Sequence, residues 1–178
     1  KISRNAEIND LSVALGVGLG KKFSVDDLRY ERVVIMTDAD VDGAHIAALL
    51  ITFFYRYMKE LIDEGRLYMA MPPLYKLTQG AKTFYATDDA HKDELLATEF
   101  KGRGKVELGR FKGLGEMMPA QLKVTTMNPK TRMLARITID EENEPTTEAL
   151  VETLMGKRAD LRYQYIQDNA QFIEDLDI

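Results

Sequence analysis

Val33-Val34-Ile35-Met36-Thr37-Asp38-Ala39-Asp40-Val41-Asp42-Gly43-Ala44-His45 is the stretch on which the reading of this chain turns. A β-branched run leads directly into carboxylates at every second position. Alternate side chains of an extended segment point the same way, so Asp38 and Asp40 are expected to project together from a strand end. Hard divalent cations take oxygen ligands, often one or two carboxylates with phosphate and water. Close carboxylates repel one another unless a cation lies between them. The stretch therefore reads first as a Mg²⁺ site for phosphoryl chemistry, with Mn²⁺ or Ca²⁺ as possible substitutes.

Competing readings of the same residues differ in what must surround them. An EF-hand loop needs an acidic ligand at its twelfth position; counted from Asp38, that position is Leu49, and a strand rather than a helix precedes it. An aspartyl-phosphate phosphatase would use Asp38 as nucleophile and Asp40 as acid. It would also need a downstream Ser/Thr, a Lys and an acidic pair on successive strand ends. Asp88-Asp89 follows a strand, but the intervening pattern is missing. A metal-dependent site holding DNA phosphate is the third reading, and a solvated acidic turn is the bland one.

Flanking segments give the acids a frame. Residues 44–64 read as one long apolar helix that Gly65 stops, buried under a sheet. Residues 66–71 read as a second strand, so strand, helix and strand form a βαβ unit with parallel strands. Open α/β sheets bind ligands at the carboxyl ends of their strands, where Asp38 and Asp40 would lie. Residues 5–15 read as a helix ended by Gly16. Residues 74–77 and 82–87 read as hairpin arms, and 88–100 as a helix capped by Asp88. Strands are expected at 106–111 and 134–139. Helices are expected from Pro119, over 147–155 and over 160–175. The glycines of Gly16-Val17-Gly18-Leu19-Gly20-Lys21 fit neither a phosphate loop nor a dinucleotide fingerprint.

The chain has 178 residues, 45% hydrophobic and 30% charged, with no cysteine and a net charge of −5. That is an ordinary globular mixture. It excludes a disulfide framework and thiolate metal sites, and the expected setting is cytoplasmic. No apolar run approaches the roughly 20 residues of a membrane span. The charge is uneven: residues 101–136 carry nine basic side chains against Glu107 and Glu116, a local +7. Such a segment can neutralise phosphates within an acidic protein. The chain starts at Lys1 without a methionine and is expected to be a fragment.

Five motifs in order go further. Ile35 to Ile46, Leu49 to Arg56, Met71-Pro72-Pro73-Leu74-Tyr75-Lys76, Arg110 to Met117 and Thr125 to Arg132 together resemble the Toprim region and C-terminal tail of type IIA DNA topoisomerase B subunits. Leu154-Met155-Gly156 and residues 169–178 resemble the family's tail. The resemblance implies an α/β fold: a Toprim (Rossmann-like) parallel sheet with flanking helices over 1–112, then a mixed α/β tail over 113–178. It implies a Mg²⁺ site formed by Asp38, Asp40 and, at its margin, Asp42, with a glutamate upstream of Lys1. It carries over Lys1, His45, Lys112 and Arg132 as DNA contacts, and Glu7 as a position near a drug pocket. The nucleophilic tyrosine is implied to come from an A subunit in an A₂B₂ assembly on double-stranded DNA, with ATP bound in a domain outside this chain. Lys1-Ile2 resembles the start of a Lys-Ile-Leu-Asn element, which implies a missing loop before Ser3. Arg110-Phe111-Lys112, without a long insertion before it, is closer to the topoisomerase IV branch than to the gyrase branch.

Overall fold

A short parallel strand pair and the helix that crosses between them position everything else. The computed structural model describes residues 5–38, 40–102, 104–139 and 144–170. Helix α1 (Ala6–Leu15) starts at Asn5, whose Oδ1 accepts the Ile8 N–H at 2.9 Å. It ends at Gly16, where φ is +77°, a left-handed conformation that glycine adopts without steric cost. Strand β1 (Val33–Ile35) leads to helix α2 (Val41–Tyr57). Helix α3 (Glu60–Asp63) and strand β2 (Leu67–Ala70) follow. Strands β1 and β2 are parallel, with Val33 opposite Leu67 and Ile35 opposite Met69.

The expected single helix over 44–64 is two. Met58 leaves helical geometry at φ −146°, ψ 44° and is wholly buried. No proline or glycine marks the break. The apolar side chains of Met58, Leu61 and Ile62 all reach the core only because the chain turns there. Burial of side chains of this size stabilises by roughly 1.5–3 kcal/mol each. They pack with Ile35, Phe53, Phe54 and Leu67, while Ile8 and Leu11 of α1 cover the edge. The expected burial of α2 holds for only part of it: Val41, Ile46 and Leu49 are exposed.

A third strand, β6 (Leu134–Arg136), pairs antiparallel with β2, so this first sheet is mixed, in the order β1-β2-β6. A second sheet is wholly antiparallel. Strands β3 (Tyr75–Gln79) and β4 (Lys82–Ala86) form the expected hairpin, and β5 (Glu107–Arg110) flanks β3 on its other side. Helix α4 (Asp89–Thr98) begins at Asp88, whose Oδ1 accepts the His91 N–H at 2.8 Å. A small core of Tyr75, Leu77 and Ala86 lies beneath Leu95 and Phe100.

The helix expected from Pro119 is a single turn, α5 (Pro119–Leu122), that widens into a π-turn over Lys123–Met127. Helices α6 (Glu144–Met155) and α7 (Ala159–Asn169) close the described chain. An Arg162 guanidinium N–H donates to the Gly156 carbonyl at 2.7 Å and joins the two helices. Arg56 of α2 meets Glu152 of α6 at 2.8 Å. The expected end of the last helix, beyond residue 170, lies outside the described residues, and no described helix is long and apolar enough to cross a membrane.

Candidate metal and DNA site

Strand β1 ends at Ile35, and the chain runs on for five residues before α2 begins. Both leading acids sit in that link and line one cavity of about 300 Å³. Its other walls include Thr37, Ala44 of α2, Met69 and Met71 of and beyond β2, and Thr87. Among the described residues no tyrosine lines it. This is the carboxyl edge of the parallel pair, where the βαβ reading expects a ligand.

The acids are not equivalent repeats of one extended pattern. Asp40 is the N-cap of α2: its Oδ1 accepts the Gly43 N–H at 2.7 Å. An N-cap carboxylate also lies favourably at the positive end of the helix dipole. Asp38 is held from far along the chain, its Oδ1 accepting the Leu114 N–H at 2.6 Å. Asp42 is already in the first turn of α2, exposed, and does not line the cavity. Thus two carboxylates share the cavity, each with Oδ1 fixed by a backbone N–H and Oδ2 without a hydrogen bond among the described residues. That donor set suits a hard cation that keeps waters and takes one or two carboxylates. Among the described residues no cluster of three or more acidic, His or Cys side chains forms a complete metal cage.

The basic candidates divide. His45 is exposed one turn into α2. Lys112 is exposed at the start of the glycine-rich loop, its N–H donating to Glu116 Oε2 at 2.8 Å. Arg132 is partly buried just before β6. Strand β6 runs antiparallel to β2, with Leu134 opposite Ala70, and the Met71 N–H donates to the Met133 carbonyl at 3.0 Å. Arg132 therefore falls at the carboxyl edge of β2, the edge that carries Asp38. Arg136 of the same basic segment lies opposite Tyr68, and its side chain packs beside Gly65 at the other edge. The run over 101–136 is thus not one surface. Glu7 is exposed in the first turn of α1, and Lys1 lies outside the described residues.

The sequence marks the Lys112 to Glu116 loop as glycine-rich but not what it touches. Its pattern suggests an approach to phosphate; its backbone instead approaches Asp38. Two glycines mark such contacts. A Cβ on Gly113 would lie 2.9 Å from the Asp38 Cγ, and one on Gly43 would lie 2.8 Å from the Asp38 carbonyl carbon. The glycine after Asp42 therefore serves helix packing against the acid link, not an EF-hand turn.

Known proteins resemble this chain along its whole length. Residues 4–72 match the Toprim domain, and residues 103–167 match the carboxyl terminus of the DNA gyrase B subunit. Over its whole length the chain is 62% identical to the DNA topoisomerase 4 B subunit of Caulobacter vibrioides and 56% identical to that of Bartonella bacilliformis. It is 47% identical to the DNA gyrase B subunit of Thermotoga maritima. It spans about a quarter of each relative's length, 26%, 26% and 27% respectively. The Caulobacter alignment uses 179 positions for the 178 residues of this chain, which leaves no room for the loop expected between Ile2 and Ser3. The match that makes Lys1 a DNA contact depends on that loop, and Lys1 loses that support. With a Toprim match followed by a gyrase B carboxyl-terminal match, and B-subunit relatives along all of it, the chain belongs to the type IIA DNA topoisomerase B-subunit family.

Proposed function

We propose that this region supplies the Mg²⁺-binding half of the DNA cleavage and religation site of an ATP-dependent type II topoisomerase of the topoisomerase IV branch. The observation that carries the reading is the cavity at the carboxyl edge of β1 and β2, where Asp38 and Asp40 each have one oxygen fixed by a backbone N–H. Asp38 and Asp40 would hold the cation, with a third carboxylate from a glutamate outside residues 1–178. Asp42, in the first turn of α2 and outside the cavity, would contribute charge at the margin. A bound Mg²⁺ offsets the charge that builds on phosphoryl oxygens during transfer.

The chain's own residues would hold DNA rather than attack it. His45, Lys112 and Arg132 would contact phosphates around the cavity, which positions the duplex without reading its sequence. The buried Tyr75 donates its hydroxyl to Asp89 at 3.0 Å and has a structural role. The nucleophilic tyrosine would come from an A subunit docked next to Asp38 in an A₂B₂ tetramer, because in-line attack needs reacting atoms within about 3–3.5 Å. Glu7 would sit near the cleavage gate. ATP would be bound in a domain outside this chain.

The test uses the intact B subunit mixed with its A subunit, ATP, Mg²⁺ and supercoiled or catenated DNA. Relaxation and decatenation are expected, and Asp38→Ala should abolish both, together with cleavage, while ATP hydrolysis stays measurable. Normal cleavage by Asp38→Ala would overturn the site. Negative supercoiling of relaxed DNA by the wild-type pair would instead assign the chain to the gyrase branch.

A further inference from the structure

We propose that the Gly113–Leu114 peptide is the positioning element for the Asp38 carboxylate, so that the metal site is completed from the far end of the chain; this rests on Asp38 being a cation ligand. The Leu114 N–H donates to Asp38 Oδ1 at 2.6 Å across 76 residues of sequence. Gly113 is fully extended, at φ −164° and ψ 174°, a conformation open to any residue. Backbone freedom is therefore not why glycine stands there. The carboxylate occupies the space a side chain would take: a Cβ would lie 2.9 Å from Cγ and Oδ1 and 3.3 Å from Oδ2 of Asp38.

The donor is itself held. Leu114 opens a 3₁₀ turn (Leu114–Glu116) in which the Glu116 N–H returns to the Gly113 carbonyl and the Met117 N–H to the Leu114 carbonyl. Glu116 reaches back to the Lys112 N–H. Leu114 and Met117 line one small cavity with Pro72, Pro73 and Phe111, and Met117 is buried. One oxygen of Asp38 is thus held by a backbone donor before any cation arrives. Hydrogen-bonded partners of this kind orient metal ligands, and their loss typically weakens metal binding about 10–100-fold.

The experiment uses electron paramagnetic resonance to measure Mn²⁺ binding to the intact, nucleotide-free B subunit. Leu114→Pro removes the N–H and sets its ring Cδ where the hydrogen stood, against Asp38 Oδ1, while the backbone accommodates proline in a first-turn position and after an extended residue. Leu114→Ala removes the side chain and keeps the N–H. Gly113→Ala intrudes on the carboxylate. Gly113→Ala and Leu114→Pro should weaken Mn²⁺ binding about 10–100-fold, with Leu114→Ala close to wild type. Should Leu114→Pro fail to fold, Gly113→Ala decides alone. Wild-type affinity in Gly113→Ala and Leu114→Pro, with binding lost in Asp38→Asn, would overturn the positioning role and leave the site standing. Wild-type affinity in Asp38→Asn would overturn the site reading, and the positioning role with it.

Discussion

Gly43 in the first turn of α2 lies against the backbone of Asp38, so near that a Cβ would stand 2.8 Å from the Asp38 carbonyl carbon. The helix that follows the acids is therefore packed directly onto the link that bears them. Alanine at position 43 would gain about 1 kcal/mol in helix propensity. The obstacle is backbone, however, and no rotamer can relieve it. The clash should win, and Gly43→Ala should destabilise the region by roughly 1–3 kcal/mol, as overpacking does. The denaturant midpoint of the intact subunit checks this; an unchanged or higher midpoint would refute it.

Asp40 has two separable jobs, which predicts a split between two substitutions. Asn is as good an N-cap as Asp, so Asp40→Asn should keep the Gly43 contact and the stability while losing Mg²⁺-dependent cleavage. Asp40→Ala loses the cap as well and should cost a further 0.5–2 kcal/mol or about that. Equal stability of the two variants in thermal melts would show that the cap contributes nothing.

The second sheet and α4 predict a pH profile. Lys92 bonds to Asp89 and holds its carboxyl below the ordinary carboxylate value, with the Tyr75 hydroxyl adding to this. The His91 N–H, then Thr87, does the same for Asp88. Lowered carboxyls contribute stability that is present above their ordinary value of 3.8 and lost as pH falls through the lowered values. Asp89 raises Lys92, whose contribution is present below its ordinary value of 10.5 and lost as pH rises through the raised one. Stability from this cluster should thus be flat through neutral pH and fall only at the extremes, modestly, because both carboxylates are exposed and screened. Asp89→Asn should flatten the acid limb of a melting-temperature profile; an acid limb identical to wild type would exclude the Asp89 pair as a source of it.

Local pattern carries a large part of this fold. The β1–α2–β2 unit, the cap at Asp88 and the stop at Gly16 all express preferences within a few residues, and each is readable; Asn5, read as the first helical residue, is instead the cap of α1. What escapes is long-range. Nothing near Met58 announces a helix break, because the reason for it is the burial of Met58, Leu61 and Ile62 in a core built by other elements. The pairing of β5 with β3 across α4 depends on tertiary geometry, as does the antiparallel entry of β6 into the first sheet. At the site, the period-two spacing implies one extended ladder, and Asp38 and Asp40 do line one cavity. The chain instead turns into a helix at Val41, which sends Asp42 elsewhere.

The division of the basic segment gives the sharpest DNA prediction. Arg132 and Arg136 are four residues apart in sequence, yet β6 carries them to opposite edges of one sheet. If phosphate is held at the acid edge, only Arg132 can reach it. Each phosphate neutralised contributes about 0.9 to the slope of log affinity against log salt. Arg132→Ala should therefore reduce that slope by roughly one unit and weaken binding alike on unrelated sequences. Arg136→Ala removes the same charge from the same segment and should leave the slope unchanged. Net charge alone would predict equal effects, so the pair separates a placed contact from a general electrostatic field. Equal slopes for the two variants, measured on the intact subunit with duplex DNA over a salt series, would refute the edge assignment.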